Sequence, residues 1–238
     1  MTPRIRILGI GLAIVGLLFV AAGAFAFIKT QEGVTSLQAF SAEQNVRLSY
    51  DEQGQLGGDN PEEAAGIMAL LAEDWKYPVV TQDLDPNDPL VNTATEYMYQ
   101  MATISYHVLN GTQTVVFAED VEAANGEIIK AGTYAFEVDG RYYADFNRAN
   151  PIEGAARGQA WSPTALGLIG QLGVGTTTAS ALQLALALAG LVAGIGFVTL
   201  FTGVGLVWVS REPVPAPVES ARTATVVRQG LPAPASGS

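Results

Sequence analysis

Apolar residues crowd the two ends of the chain and thin out in the middle. Residues 5–27 form one run, and residues 181–209 form another built almost wholly from Leu, Ala, Gly, Val, Ile and Phe. Each exceeds the roughly 20 residues that carry a helix across a bilayer core. In lipid the backbone must hydrogen-bond to itself, which for an open chain leaves only the helix. The pattern therefore predicts two transmembrane helices, over residues 1–28 and 181–210. The second run closes a longer stretch, residues 158–210, that holds no charged residue. A cleaved signal peptide competes for the first run, because Ala24, Phe25 and Ala26 offer a small-x-small cleavage site. The run is longer than the about 7–15 apolar residues of a signal core, which favours a retained helix.

Between the spans the pattern changes to short periodic segments. Residues 34–40 and 46–50 look strand-like, the second alternating Val46, Leu48 and Tyr50 with Arg47 and Ser49. Asn60, Pro61, Glu62 and Glu63 mark a helix start, with the carboxylates where the helix dipole favours them. Residues 75–81 read as extended, and Asp88 with Pro89 reads as a second helix start, the helix running to about Leu109. Strands follow over 112–118, 127–130, 133–138 and 141–146, with Asn125-Gly126 and Asp139-Gly140 as hairpin turns. Ser162-Pro163 opens a last apolar segment, which with Trp161 is expected to lie along the membrane surface. The fold class is thus α+β: two transmembrane helices flank a small extracytoplasmic domain with an antiparallel sheet and two or three helices. Its parts are the domain at 29–160, an interfacial segment at 161–180, and a Pro-rich cytoplasmic tail at 211–238 that is expected to be disordered.

Charge orients this arrangement. Arg4 and Arg6 precede the first run and Arg211 follows the second, so the positive-inside rule places both termini in the cytoplasm. Residues 28–180 carry 21 acidic against 7 basic side chains. A domain this acidic is a poor match for nucleic acid. The chain has no cysteine, which removes disulfides, thiol catalysis and Cys-ligated metals.

Few residues suggest chemistry. His107 is the single histidine, too few for a two-His metal site, and no G-x-S-x-G elbow accompanies it. Met98 and Met101, three residues apart on one helix, could with His107 hold a soft cation such as Cu(I), although core filling is the commoner use of Met. Asp83, Asp85 and Asp88, with Asn87, begin like a calcium loop but lack its glycine at position six and its glutamate at position twelve. A solvated turn and helix cap is the better account of them. No catalytic residue and no cofactor is expected. Glycines punctuate both spans, among them Gly9 and Gly16 in the first and the G-x-x-x-G pair Gly190 and Gly194 in the second. Such residues let helix backbones approach closely, so these four are expected to pack against each other or against a partner.

The residues Trp161-Ser162-Pro163-Thr164-Ala165-Leu166, the glycine-punctuated span after them and the arginine-led first span resemble a family of actinobacterial two-span membrane proteins. The resemblance implies an extracytoplasmic domain of about this size between the spans. Members often carry the name "aromatic ring-opening dioxygenase". Non-haem iron dioxygenase chemistry needs two His and a carboxylate, and one histidine does not supply them. The chain is therefore expected to be a non-catalytic accessory or structural subunit of a larger integral-membrane complex, of respiratory or oxygenase type. The alternative is a free-standing cell-envelope protein whose acidic domain captures a ligand or a metal cation. Its expected partners are the lipid bilayer and other integral-membrane subunits.

Overall fold

The structure is a computed structural model that describes residues 2–211. The tail expected to be disordered lies, beyond Arg211, outside the described residues. Among the described residues the fold is α+β, with five α-helices and two small antiparallel ribbons. The helices are α1 (Thr2–Gln44), α2 (Pro61–Ala69), α3 (Ala94–Leu109), α4 (Pro151–Ala160) and α5 (Pro163–Val209).

The first and last helices dominate. At 1.5 Å per residue α1 is roughly 65 Å long and α5 roughly 70 Å, and each contains a window long and apolar enough to cross a membrane. They lie antiparallel along a seam of small residues. A Cβ added at Gly9 would come within 2.8 Å of the Gly203 carbonyl, and one at Gly23 within 2.7 Å of the Ala193 amide nitrogen. At Gly16 it would collide with the backbone of Leu200, and at Gly203 with that of Ala13. Near the domain, Gly33 faces the Leu182 side chain. The buried positions recur every seventh residue on both partners, as Gly9, Gly16 and Gly23 on α1 and Ala189, Gly196 and Gly203 on α5. A seven-residue repeat is the spacing that keeps one face of a helix turned to a helical partner.

Both helices outrun the spans expected of them. Residues 34–40, read as strand-like, are the continuing helix α1, which carries Leu37 and Ser41 against the domain. The segment expected at 161–180 is not separate from the apolar run after it: from Pro163 onward it is the start of one unbroken α5. Ser162 caps it, its hydroxyl accepting from the Ala165 amide at 3.2 Å, and Pro163 occupies its first turn. This part of the helix is held because Ile169, Leu172 and Ala179 turn into the domain core. Trp161, expected at a membrane interface, is buried instead: its ring stacks on Tyr142 and its Nε1 donates to the Arg141 carbonyl at 3.1 Å.

The domain core gathers around α3, where Ala102 is fully enclosed, together with Leu71, Val91, Val138 and Phe146. Strand β1 (Thr112–Phe117) pairs antiparallel with β4 (Gly132–Glu137), Thr112 opposite Glu137 and Phe117 opposite Gly132. Between them β2 (Val121–Glu122) and β3 (Ile128–Ile129) form a second ribbon whose turn contains Gly126 at φ +81°. The single sheet expected from the sequence is therefore two ribbons. The strand expected at 141–146 is a turn, because the Tyr142 amide donates to Asp145 Oδ2, the Asp145 amide donates to the Tyr142 carbonyl, and Phe146 tucks into the core. Residues 46–50 make only isolated bridges, Arg47 with Leu90 and Tyr50 with Leu56. The first of these claims Leu90 for extended structure, so α3 starts later than Asp88-Pro89. Its start is a capping box in which Thr93 Oγ1 accepts from the Glu96 amide and the Glu96 carboxylate accepts from the Thr93 amide.

Candidate functional site

Where the two long helices leave their seam, α3 wedges in beside them. Tyr97 on α3 lies against α5 at Gly175, where a Cβ would stand 2.7 Å from the ring. Only glycine leaves room for that approach. The buried Tyr97 hydroxyl donates to Ser41 Oγ of α1 at 2.6 Å, and Ser41 donates in turn to the Leu37 carbonyl at 2.9 Å. This buried link ties all three helices at one level.

Beside the link opens a cavity of about 500 Å³, within the roughly 300–1,000 Å³ of small-molecule sites. Its apolar lining comes from every element that meets there, with Leu37 and Phe40 from α1, Val46 and Val91 from the bridged segments, Ile104 from α3 and Leu172 from α5. The mouth is also greasy, since Phe40 is 49% and Val174 65% exposed. Polar groups are few and uncharged: Gln44, Gln100, Gln171 and Thr178 join the Ser41–Tyr97 pair. An apolar pocket with a small number of convergent polar groups is the usual form of a ligand site.

A second, smaller cleft of about 210 Å³ lies on the other side of the Val46–Leu48 segment, with Arg47, Asn60, Glu63 and Tyr99 in its wall. Its acid is already engaged, since Glu63 accepts from Asn60 Nδ2 at 2.6 Å and meets His107 Nε2 at 3.1 Å. Burial pushes the Tyr99 hydroxyl up to about 12, with the charge of Glu63 and the neighbouring Tyr50 adding to it. A tyrosine so held stays protonated and is no base at neutral pH.

The acidic residues singled out for a metal are not brought together. His107 points to Glu63 on α2, while Met98 packs against the core. Asp83 ends a short 3₁₀ turn (Thr81–Asp83). Asp85 Oδ1 accepts from the Asn87 backbone and side-chain amides, each at 2.9 Å, which holds its carboxyl below the ordinary range. Asp88 Oδ2 takes a long 3.5 Å contact from Asn92. Among the described residues no three His, Asp or Glu side chains converge on a point that could hold a metal ion. Of the four glycines expected to pack, Gly9 and Gly16 face α5 as described. Gly190 and Gly194 meet nothing: a Cβ at either would have open space around it. Together with Leu191 and Val198 they line a shallow apolar depression on α5. The seam residues on α5, Gly196 and Gly203, sit on the heptad rather than in that pair.

No protein-family model, curated protein or solved structure matches the chain.

Proposed function

We propose that the chain is a non-catalytic, two-span protein of the cell envelope whose exterior domain binds a hydrophobic small molecule in the cavity between α1, α3 and α5. The observation that carries this reading is the cavity itself, whose walls and mouth are both apolar. An exposed greasy rim costs free energy in water and is offset when a ligand covers it. In the proposed topology Arg4, Arg6 and Arg211 lie in the cytoplasm, and the acidic domain with its cavity lies outside. The glycine seam supports retention of the first helix, since α1 is one half of the helical pair and supplies part of the cavity wall.

Extraction of the protein from its own membranes into polymer-bounded lipid discs, followed by mass spectrometry of the organic extract, tests the reading. The expected result is one apolar compound near stoichiometric with the protein, reduced at least tenfold by Val174→Trp, which fills the cavity mouth. An extract identical to that of empty discs overturns it.

A second reading has its own support. Gly190 and Gly194 leave an exposed small-residue face on α5, suited to close approach of another membrane helix. In that reading the chain is an accessory subunit of a larger integral-membrane complex. A stoichiometric protein partner in the same discs, lost with Gly194→Leu, is its signature.

A further inference from the structure

We infer that the cavity between α1, α3 and α5 selects an uncharged amphiphile, a hydrocarbon chain ending in a hydroxyl, ester or amide head. The inference rests on the proposal that the cavity binds a ligand, and adds what kind.

The exclusion of charge comes first. No Asp, Glu, Lys, Arg or His lines the cavity, although residues 28–180 carry 21 acidic and 7 basic side chains. An anionic head would enter without a cation to meet it, in a domain whose field repels it. A cationic head would be drawn by that field but would find no carboxylate in the wall. A head that leaves water for the half-buried Gln100 would carry either charge unpaired, at a heavy desolvation cost. Arg47 lines only the smaller cleft; Gln100 is the one residue common to the two.

The head-binding groups follow from which hydrogen bonds are already spent. Ser41 and Tyr97 are satisfied by one another and by the Leu37 carbonyl, so the inner end of the cavity offers little to a polar group. The side-chain amides of Gln44, Gln100 and Gln171 are different. Among the described residues none of them takes part in an intrachain hydrogen bond, and two of the three stand exposed at the mouth. Each amide offers two N–H donors and a carbonyl acceptor. That inventory pairs with hydroxyl, ester and amide groups alike, and makes no demand for charge. The chain of the ligand therefore lies inward against Leu37, Ile104 and Leu172, and its head rests at the glutamines.

The test uses the full chain in phosphatidylcholine nanodiscs and three photoreactive probes with the same dodecyl chain: a monoacylglycerol, a fatty acid and an alkylammonium. After illumination, labelled peptides are mapped by mass spectrometry. Labelling of residues 5–27 reports partition into the bilayer and normalises the three probes. The expected result is labelling of peptides from 37–46, 97–104 and 168–178 by the monoacylglycerol, at least tenfold above either charged probe. Val174→Trp should abolish it while leaving the circular dichroism spectrum unchanged, and Gln100→Leu should weaken it several-fold. Equal or stronger labelling of those peptides by a charged probe overturns the ligand class and leaves the cavity a binding site. Absence of labelling there by all three probes overturns both.

Discussion

Glu96 is nearly inaccessible to solvent at 1% exposure, yet it is a carboxylate at the start of α3. Burial raises its pKa above the ordinary 4.5, and the charge of Asp88 adds to that; the amides of Asn92 and Thr93, which it accepts at 2.9 and 2.8 Å, pull the other way without prevailing. A group whose pKa is raised on folding contributes stability that is present below the unfolded value and lost as pH rises through the folded one. Glu96→Gln keeps an acceptor for both amides and removes the titration. Thermal melts of protein and variant should therefore run parallel below about pH 4.5 and separate above it, the variant becoming the relatively more stable. Parallel curves across the whole range would show that the carboxyl is not perturbed. The sequence held the signal for this residue in the Thr93-x-x-Glu96 spacing. Asp88-Pro89 offers a helix start of its own on local grounds, and what displaces it, the pairing of Leu90 with Arg47, depends on a contact between segments far apart in the chain.

The α1–α5 pair places its strictest demand on volume. At Gly16 and Gly196 an added side chain has backbone, not a flexible neighbour, in its way, so the helices must part to admit one. Overpacking of this kind costs about 1–3 kcal/mol in a well-packed interior. Because the chain has no cysteine, Gly23→Cys with Ala193→Cys gives a reporter free of competing thiols; the two Cβ positions stand 2.8 Å apart, and the helices need part by only about 1 Å to reach the roughly 3.8 Å that a disulfide spans. Oxidation should join them efficiently, Gly16→Leu should reduce the yield several-fold, and Gly194→Leu should leave it unchanged. Loss of yield with Gly194→Leu would mean that the helices meet on the other face. Helix packing by small residues was legible in the sequence, since Gly9 and Gly16 already stood out, whereas the partner positions were not. The four-residue spacing of Gly190 and Gly194 drew attention because it allows close approach in general, but it names no partner. The seven-residue spacing shared by the two ends of the chain does.

For the molecule as a whole, two apolar helices packed antiparallel put residue 4 and residue 211 at one end and the α+β domain at the other. With the basic residues inside, Asn125→Cys at the tip of the second ribbon should react with a membrane-impermeant maleimide on intact cells. Arg211→Cys should react only after lysis. The reverse pattern would invert the topology. The two long apolar helices were plain from composition alone, since each run is both long and apolar enough to cross a membrane. The cavity was invisible for the opposite reason. Its wall is assembled from residues 37–46, Val91, residues 97–104 and residues 168–178, and each of those segments taken singly is an ordinary apolar helix face or strand. Even residues 34–40 and 168–178, which form much of it, carry a local pattern that reads as a strand or a surface segment, and only the length of the two helices places them here.

That length has a mechanical meaning. Neither α1 nor α5 breaks between its apolar window and the domain, so the molecule has no joint at the surface on which a domain could swing. Counting from Lys29, the first charge beyond the apolar stretch, Leu37 and Gln44 stand about 12 and 22 Å higher along α1. The cavity mouth is carried at that altitude like a gauge on a rigid post, and on the proposed reading whatever delivers or collects a ligand there must work at that fixed standoff.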